Sequence, residues 1–216
     1  SDRLTFPTRC FIVLVYSTTA LCCLLWSGSK GGWLLALLSG LVALLHVNFA
    51  KQLKLLLVAL MLLFGIAGFF YKYSGFFQRG AKSVHARFDY WQAALQTTAS
   101  KPLLGTGPGT FGISYKAIKK PESEMARLAH NDYLQQASDS GVLGFATFMG
   151  WISVIIWLGY PKTALFKHSL RLFVWLGLLA WALQGAMEFG LYIPALAWVG
   201  FSLSGWLLSV SCDVQT

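Results

Sequence analysis

Six stretches of the chain, at about 10–26, 33–50, 53–71, 142–160, 170–188 and 192–210, are almost wholly apolar. Each approaches the ~20 residues a helix needs to cross a hydrocarbon core of about 30 Å. Backbone groups in lipid must bond within their own segment, so each stretch predicts a transmembrane helix. The stretches fall three and three around one long polar interval, 72–140. Within it Val84, Phe88, Trp91 and Leu95 recur at helical spacing and predict an amphipathic helix over 83–99. Such a helix can lie on a bilayer or cover a cavity. Pro102 ends it, a second helical piece is expected over 114–119 before Pro121, and a third from His130 through Leu134 and Ala137 towards Gly141. The pattern predicts an all-α, polytopic membrane helix bundle of about six spans. Three spans lie in 1–71, an extracytoplasmic loop with amphipathic helices in 72–140, and three more spans in 141–216.

Composition agrees with that reading. The chain has 216 residues, 56% hydrophobic and 12% charged, with a mean hydropathy of +0.59; soluble domains carry about twice that charged share, roughly 25%. The net charge of +9 would suggest nucleic acid in a soluble protein. Here the positive-inside bias of membrane loops and anionic lipid head groups account for it, and no nucleic-acid partner is expected. Cys10, Cys22, Cys23 and Cys212 lie in or beside the apolar stretches and form neither a disulfide framework nor a metal-ligand spacing, so no metal is expected. The chain opens on Ser1 rather than Met and shows no signal peptide, which reads as a piece of a longer protein.

The short loops give an orientation. With the amino terminus in the cytoplasm, Arg3, Arg9, Lys51, Lys54, Lys162, Lys167 and Arg171 fall on the cytoplasmic side, and among short connections Lys30 alone falls opposite. The interval 72–140 then faces outward.

That interval holds the candidate chemistry. Gly105, Gly107 and Gly109, in Gly-Thr-Gly-Pro-Gly-Thr, can turn tightly and expose backbone N–H groups, which suits a phosphate; spacing alone favours a structural turn. No Lys-Ser/Thr follows and no strand precedes, so neither a Walker loop nor a dinucleotide fingerprint is present. His130 precedes Asn131 and Asp132 at what reads as a helix start, where an uncharged imidazole is favoured, the form a general base requires. The plain alternative is that His130 and Asn131 only cap the helix. Arg87 is either a cation snorkelling beside Trp91 or a guanidinium suited to a pyrophosphate. Lys30 is either an interface anchor or a phosphate contact. Glu188, near Gln184, is either an ionisable group inside the fifth stretch, which would mark a functional site, or a plain helix-end residue. Lys116, Lys119 and Lys120 read as a solvated face that touches anionic head groups.

Taken together these pieces resemble the O-antigen ligase / O-antigen polymerase superfamily of bacterial envelope glycosyltransferases. Ser-Gly-Ser-Lys-Gly-Gly at 27–32 is similar to its Ser-Arg-Gly segment, and Arg87-Phe-Asp-Tyr-Trp91-Gln-Ala-Ala-Leu to its Arg-x₃-Trp-x₂-Ala helix. The block opening Pro102-Leu-Leu-Gly-Thr-Gly-Pro-Gly-Thr-Phe111, and His130-Asn-Asp-Tyr-Leu134 with Ser140-Gly-Val-Leu-Gly144, resemble its two strongest motifs. The resemblance implies a GT-C-type membrane enzyme that moves a glycan from undecaprenyl diphosphate to lipid A core, another glycan or a protein. It also implies that the reaction takes place on the outer face of the bacterial inner membrane, without cofactor or metal. It implies that His130 activates the acceptor hydroxyl, that Arg87 binds the diphosphate, that Lys30 stands where the family has a second arginine, and that Asn131, Asp132 and Tyr133 support the histidine. Gln184 and Glu188 replace the family's histidine and aspartate, so no catalytic role is expected there. The family has about ten or more spans, again implying a fragment. A polymerase extending the lipid-linked glycan shares the same motifs. A lipid-linked-glycan transporter or a non-catalytic scaffold are the readings from other classes.

Overall fold

The computed structural model describes residues 5–78, 82–161 and 169–213. Arg3, Lys162 and Lys167, which carry part of the loop-charge asymmetry, lie outside the described residues. In order run α1 (Phe6–Ser27), α2 (Lys30–His46), α3 (Lys51–Gln78), α4 (Lys82–Ser100), α5 (Phe111–Ile118), α6 (Asp132–Gly159), α7 (Ser169–Gln184), a single 3₁₀ turn (Gly190–Tyr192) and α8 (Pro194–Asp213). No strand occurs among the described residues.

Every apolar stretch is helical. α1, α3 and α6, at 22, 28 and 28 residues, are long and apolar enough to cross a membrane; α2 and the apolar parts of α7 and α8 are shorter. This is a polytopic helical membrane protein. Its outward-facing leucines and aromatics, such as Tyr71 (88% exposed) and Trp157 (77%), fit lipid as solvent. α1 sits apart from the packed helices, with Phe6, Tyr16 and Trp26 bare. α2 packs between α3 and α7, and α6 against α4, α7 and α8. Where α2 meets α3 the backbones approach closely: a Cβ at Gly65 would stand 2.8 Å from Leu37, and Trp33 Nε1 donates to the Gly65 carbonyl at 3.0 Å.

The third expected helical piece and the fourth span meet end to end at Gly141, as the sequence pattern predicts. α6 begins at Asp132 and kinks at Gly141, whose φ of 66° and ψ of −166° are non-helical. The kink has a partner. Val142 N–H donates to the Pro102 carbonyl at 2.7 Å, and a Cβ at Gly141 would lie 2.3 Å from the Leu103 carbonyl oxygen. The segment after α4 is thus wedged into α6, and only glycine leaves room for it. Before the kink α6 buries Asp132, Gln135, Ser138 and Asp139; after it the helix is apolar down to Gly159.

Two cores result. Tyr90, Ala93, Ala94, Phe111, Tyr115, Ala126 and Ala129 close α4, α5 and the following loop onto the start of α6. Ile155, Leu172, Trp175, Leu176, Leu178 and Leu207 join α6, α7 and α8.

Candidate active site between α2, α4 and the turn after α7

The glycine turn binds itself and α6. Gly105 N–H donates to the Lys101 carbonyl, Thr106 N–H to Ser138, Gly107 N–H to Asp139, and Thr110 N–H back to Gly107, all within 3.3 Å. Gly109 N–H donates to Asp139 Oδ2 at 3.0 Å, and Pro108 has no N–H. Every amide from 105 to 110 is therefore spent inside the protein, and none is left for a phosphate. Asp139 is the anchor that composition did not single out: buried, it also accepts from Gln135 Nε2 (3.0 Å) and Tyr192 O–H (3.3 Å).

His130 sits immediately before the α6 cap. Asn131 is the cap itself, its Oδ1 accepting from Tyr133 N–H and Leu134 N–H at 3.0 Å each. Its Nδ2 donates to the Ala186 carbonyl, Tyr133 O–H donates to the Ala182 carbonyl, and Asp132 N–H donates to Gly185. Asp132 Oδ2 accepts from Leu191 N–H at 3.0 Å. The Asn-Asp-Tyr run thus ties down the end of α7 and the turn that follows. Among described residues His130 is the one non-glycine with positive φ, 51°, a conformation costing roughly 1–2 kcal/mol for an ordinary residue but visited more readily by His. Packing holds it there: the ring stacks on Tyr90 (centroids 5.7 Å apart), meets Phe189 edge-on (4.7 Å), and its carbonyl accepts from Trp91 Nε1.

The tied-down turn delivers Glu188, which lies past the end of α7 rather than within a span. One carboxylate oxygen faces His130 Nδ1 at 3.2 Å and the other accepts from Arg87 Nη2. Arg87, His130 and Glu188 side chains are 24, 32 and 35% exposed, so the trio is shielded yet reachable. Burial pushes the Glu188 carboxyl up, but the His130 hydrogen bond and the Arg87 charge outweigh it and hold it below the usual range. Arg87 Nε is buried with no hydrogen-bond partner among the described residues.

Arg87 and Glu188 line a cavity of about 380 Å³ together with Lys30, Ser27, Ser29 and Gln184. Lys30 is the first residue of α2, and its ammonium lies 4.1 Å from the Phe76 ring centre and 5.2 Å from that of Tyr73. Ser29 caps α2 by accepting from Gly32 N–H at 2.9 Å. The amides of Lys30 and Gly31, the first two of α2, have no acceptor within the helix and lie at a helix start beside the cavity. Arg87 and Lys30 therefore share one cavity, His130 joins it through Glu188, and the three glycines do not reach it. No role was expected for Glu188 beside His130, because its match to the family's aspartate is inexact and its partners come from distant segments. An acid closing an apolar stretch was the signal available.

Residues 15–149, more than half of the chain, match a family model described as O-antigen ligase. No curated protein and no solved structure matches. The match takes in Lys30, Arg87 and His130 in order, with the glycine turn between the last two, and stops short of Glu188. By this match the chain belongs to the O-antigen ligase family.

Proposed function

We propose that the protein is a membrane glycosyltransferase that moves a glycan from undecaprenyl diphosphate to a hydroxyl of lipid A core or another envelope acceptor. Its family supports a ligase- or polymerase-type role in O-antigen processing, and the donor, the acceptor and the absence of a metal requirement are part of the proposal. The observation that carries it is that Arg87 and Lys30 line one cavity together with Glu188, which contacts His130.

In this reading the donor diphosphate lies between Arg87, the Lys30 ammonium and the first amides of α2, where helix dipole and cations favour an anion. His130 takes the acceptor hydroxyl proton as that oxygen bonds to the anomeric carbon. The bond from that carbon to the diphosphate breaks, its electron pair leaves on the phosphate oxygen, and Arg87 and Lys30 stabilise the charge that develops there. With Nδ1 facing Glu188, Nε2 is the nitrogen that accepts the proton. The interval 72–140 then faces the outside of the bacterial inner membrane, with both ends of this chain on the cytoplasmic side. Asn131, Asp132 and Tyr133 hold the base and its partner in register, and the glycine turn fastens the segment after α4 to α6.

His130→Ala in the full-length protein tests the role. Glycan transfer is expected to fall about 10²- to 10⁴-fold, the usual contribution of a positioned base, with expression unchanged. Near-normal turnover would sink the assignment.

A further inference from the structure

Glu188 holds two partners that the reaction needs apart. Its carboxylate is shared between Arg87 Nη2 and His130 Nδ1, yet Arg87 is the cation that faces the cavity. An internal anion therefore occupies the guanidinium. The clasp is also incomplete, since Arg87 has five donors and its Nε is buried without a partner among the described residues. A diphosphate offers several oxygens and more charge than one carboxylate, so it competes well for a fork-shaped cation. Neither anion can hold the same N–H at once.

We infer that Glu188 is a positioning residue released by the donor: the diphosphate displaces it from Arg87, and the freed carboxylate then serves His130 alone. This rests on the diphosphate and base roles proposed above and adds an order to them. Before displacement the carboxylate is divided between two cations or donors, and His130 is held by half of it. After displacement it accepts from His130 Nδ1–H, fixes the ring with Nε2 towards the acceptor, and stabilises the imidazolium once the acceptor proton arrives. The stacking of His130 on Tyr90 and its edge contact with Phe189 keep the ring in place while its partner moves. Base activation is then coupled to donor occupancy, which protects the lipid-linked glycan from attack by stray water when the diphosphate is badly seated.

The consequence is a split that a merely structural residue would not produce. Glu188→Gln removes the competing charge and keeps the shape. It should bind geranyl diphosphate, titrated onto the full-length protein in detergent, about tenfold more tightly, the scale of one charge-assisted hydrogen bond no longer in competition. Its kcat for glycan transfer should fall about a hundredfold, because the base has lost its orienting anion. Glu188→Asp keeps the charge and should bind the probe close to wild type with a smaller loss of kcat. Arg87→Ala is the reference for the site and should weaken probe binding. Weaker or unchanged binding in Glu188→Gln, beside a loss in Arg87→Ala, overturns this inference and leaves the site reading standing. Unchanged binding in Arg87→Ala overturns both.

Discussion

At the scale of single residues, charge and backbone strain are concentrated around one carboxylate. His130 occupies the left-handed region, its ring is gripped by Tyr90 and Phe189, and both it and Arg87 turn to Glu188. The pH behaviour of this trio follows from the depressed Glu188 pKa. A carboxyl whose folded pKa lies below its unfolded value of about 4.5 stabilises the fold fully above that value. The contribution is lost as pH falls through the folded one. The melting-temperature gap between wild type and Glu188→Gln should therefore stay constant from neutral pH down to the ordinary glutamate value, and close only in more acid solution. A gap that closes well above it would show that the pairing is absent in solution. The roles of Arg87 and Lys30 also differ by chemistry: a guanidinium can grip two phosphate oxygens at once, whereas the Lys30 ammonium acts as a point charge.

At the scale of elements, α6 organises the site from two places. Its cap joins Asn131 and Asp132 to the turn 185–191, and its kink receives the backbone of Pro102 and Leu103. Gly141→Ala should be severely destabilising, by more than the ~1 kcal/mol typical of alanine at a positive φ, since the new methyl meets backbone oxygen. Asn131→Ala should cost about 1 kcal/mol through the lost cap, with a further loss from its bond to Ala186. Thermal unfolding in detergent ranks the two; a Gly141→Ala as stable as Asn131→Ala would mean that the wedge between α4 and α6 is loose. The glycines of 105–109 belong to the same joint. Gly105 has φ 67°, and a Cβ there would stand 2.4 Å from the Asp139 backbone carbon. The turn resembles a phosphate cradle by composition but is a buckle in fact, because α6 supplies the carbonyls and the carboxylate that take its amides.

At the scale of the whole molecule, the long apolar helices are set apart from a unit built of α4, α5 and the first turns of α6, which has its own core and carries the buried polar side chains of the site. The proposed orientation is open to direct labelling in a background with the four cysteines replaced by serine. Ile113→Cys, at a position 74% exposed on α5, should react with a membrane-impermeant maleimide in intact spheroplasts. Asn48→Cys, in the connection between α2 and α3, should react only after permeabilisation; the reverse pattern overturns the orientation. Much of this layout was legible in the chain. Length and unbroken hydrophobicity specify membrane helices locally, because a backbone in lipid has no partner but itself. Motif order alone was enough to single out Lys30, Arg87 and His130. Spacing could not say what pins the break in α6 at Gly141, since the Val142 amide finds its acceptor at Pro102, forty residues back in the chain. Nor could it say that the glycine amides are consumed, or that Glu188 stands between Arg87 and His130, 101 and 58 residues away. Those contacts are made by long-range packing, and hydrogen bonds to a distant carbonyl or carboxylate leave no period in the sequence. The membrane helices and the candidate side chains were thus legible in the sequence itself. The tertiary structure alone decided which donors are spent, which remain open, and which acid the histidine meets.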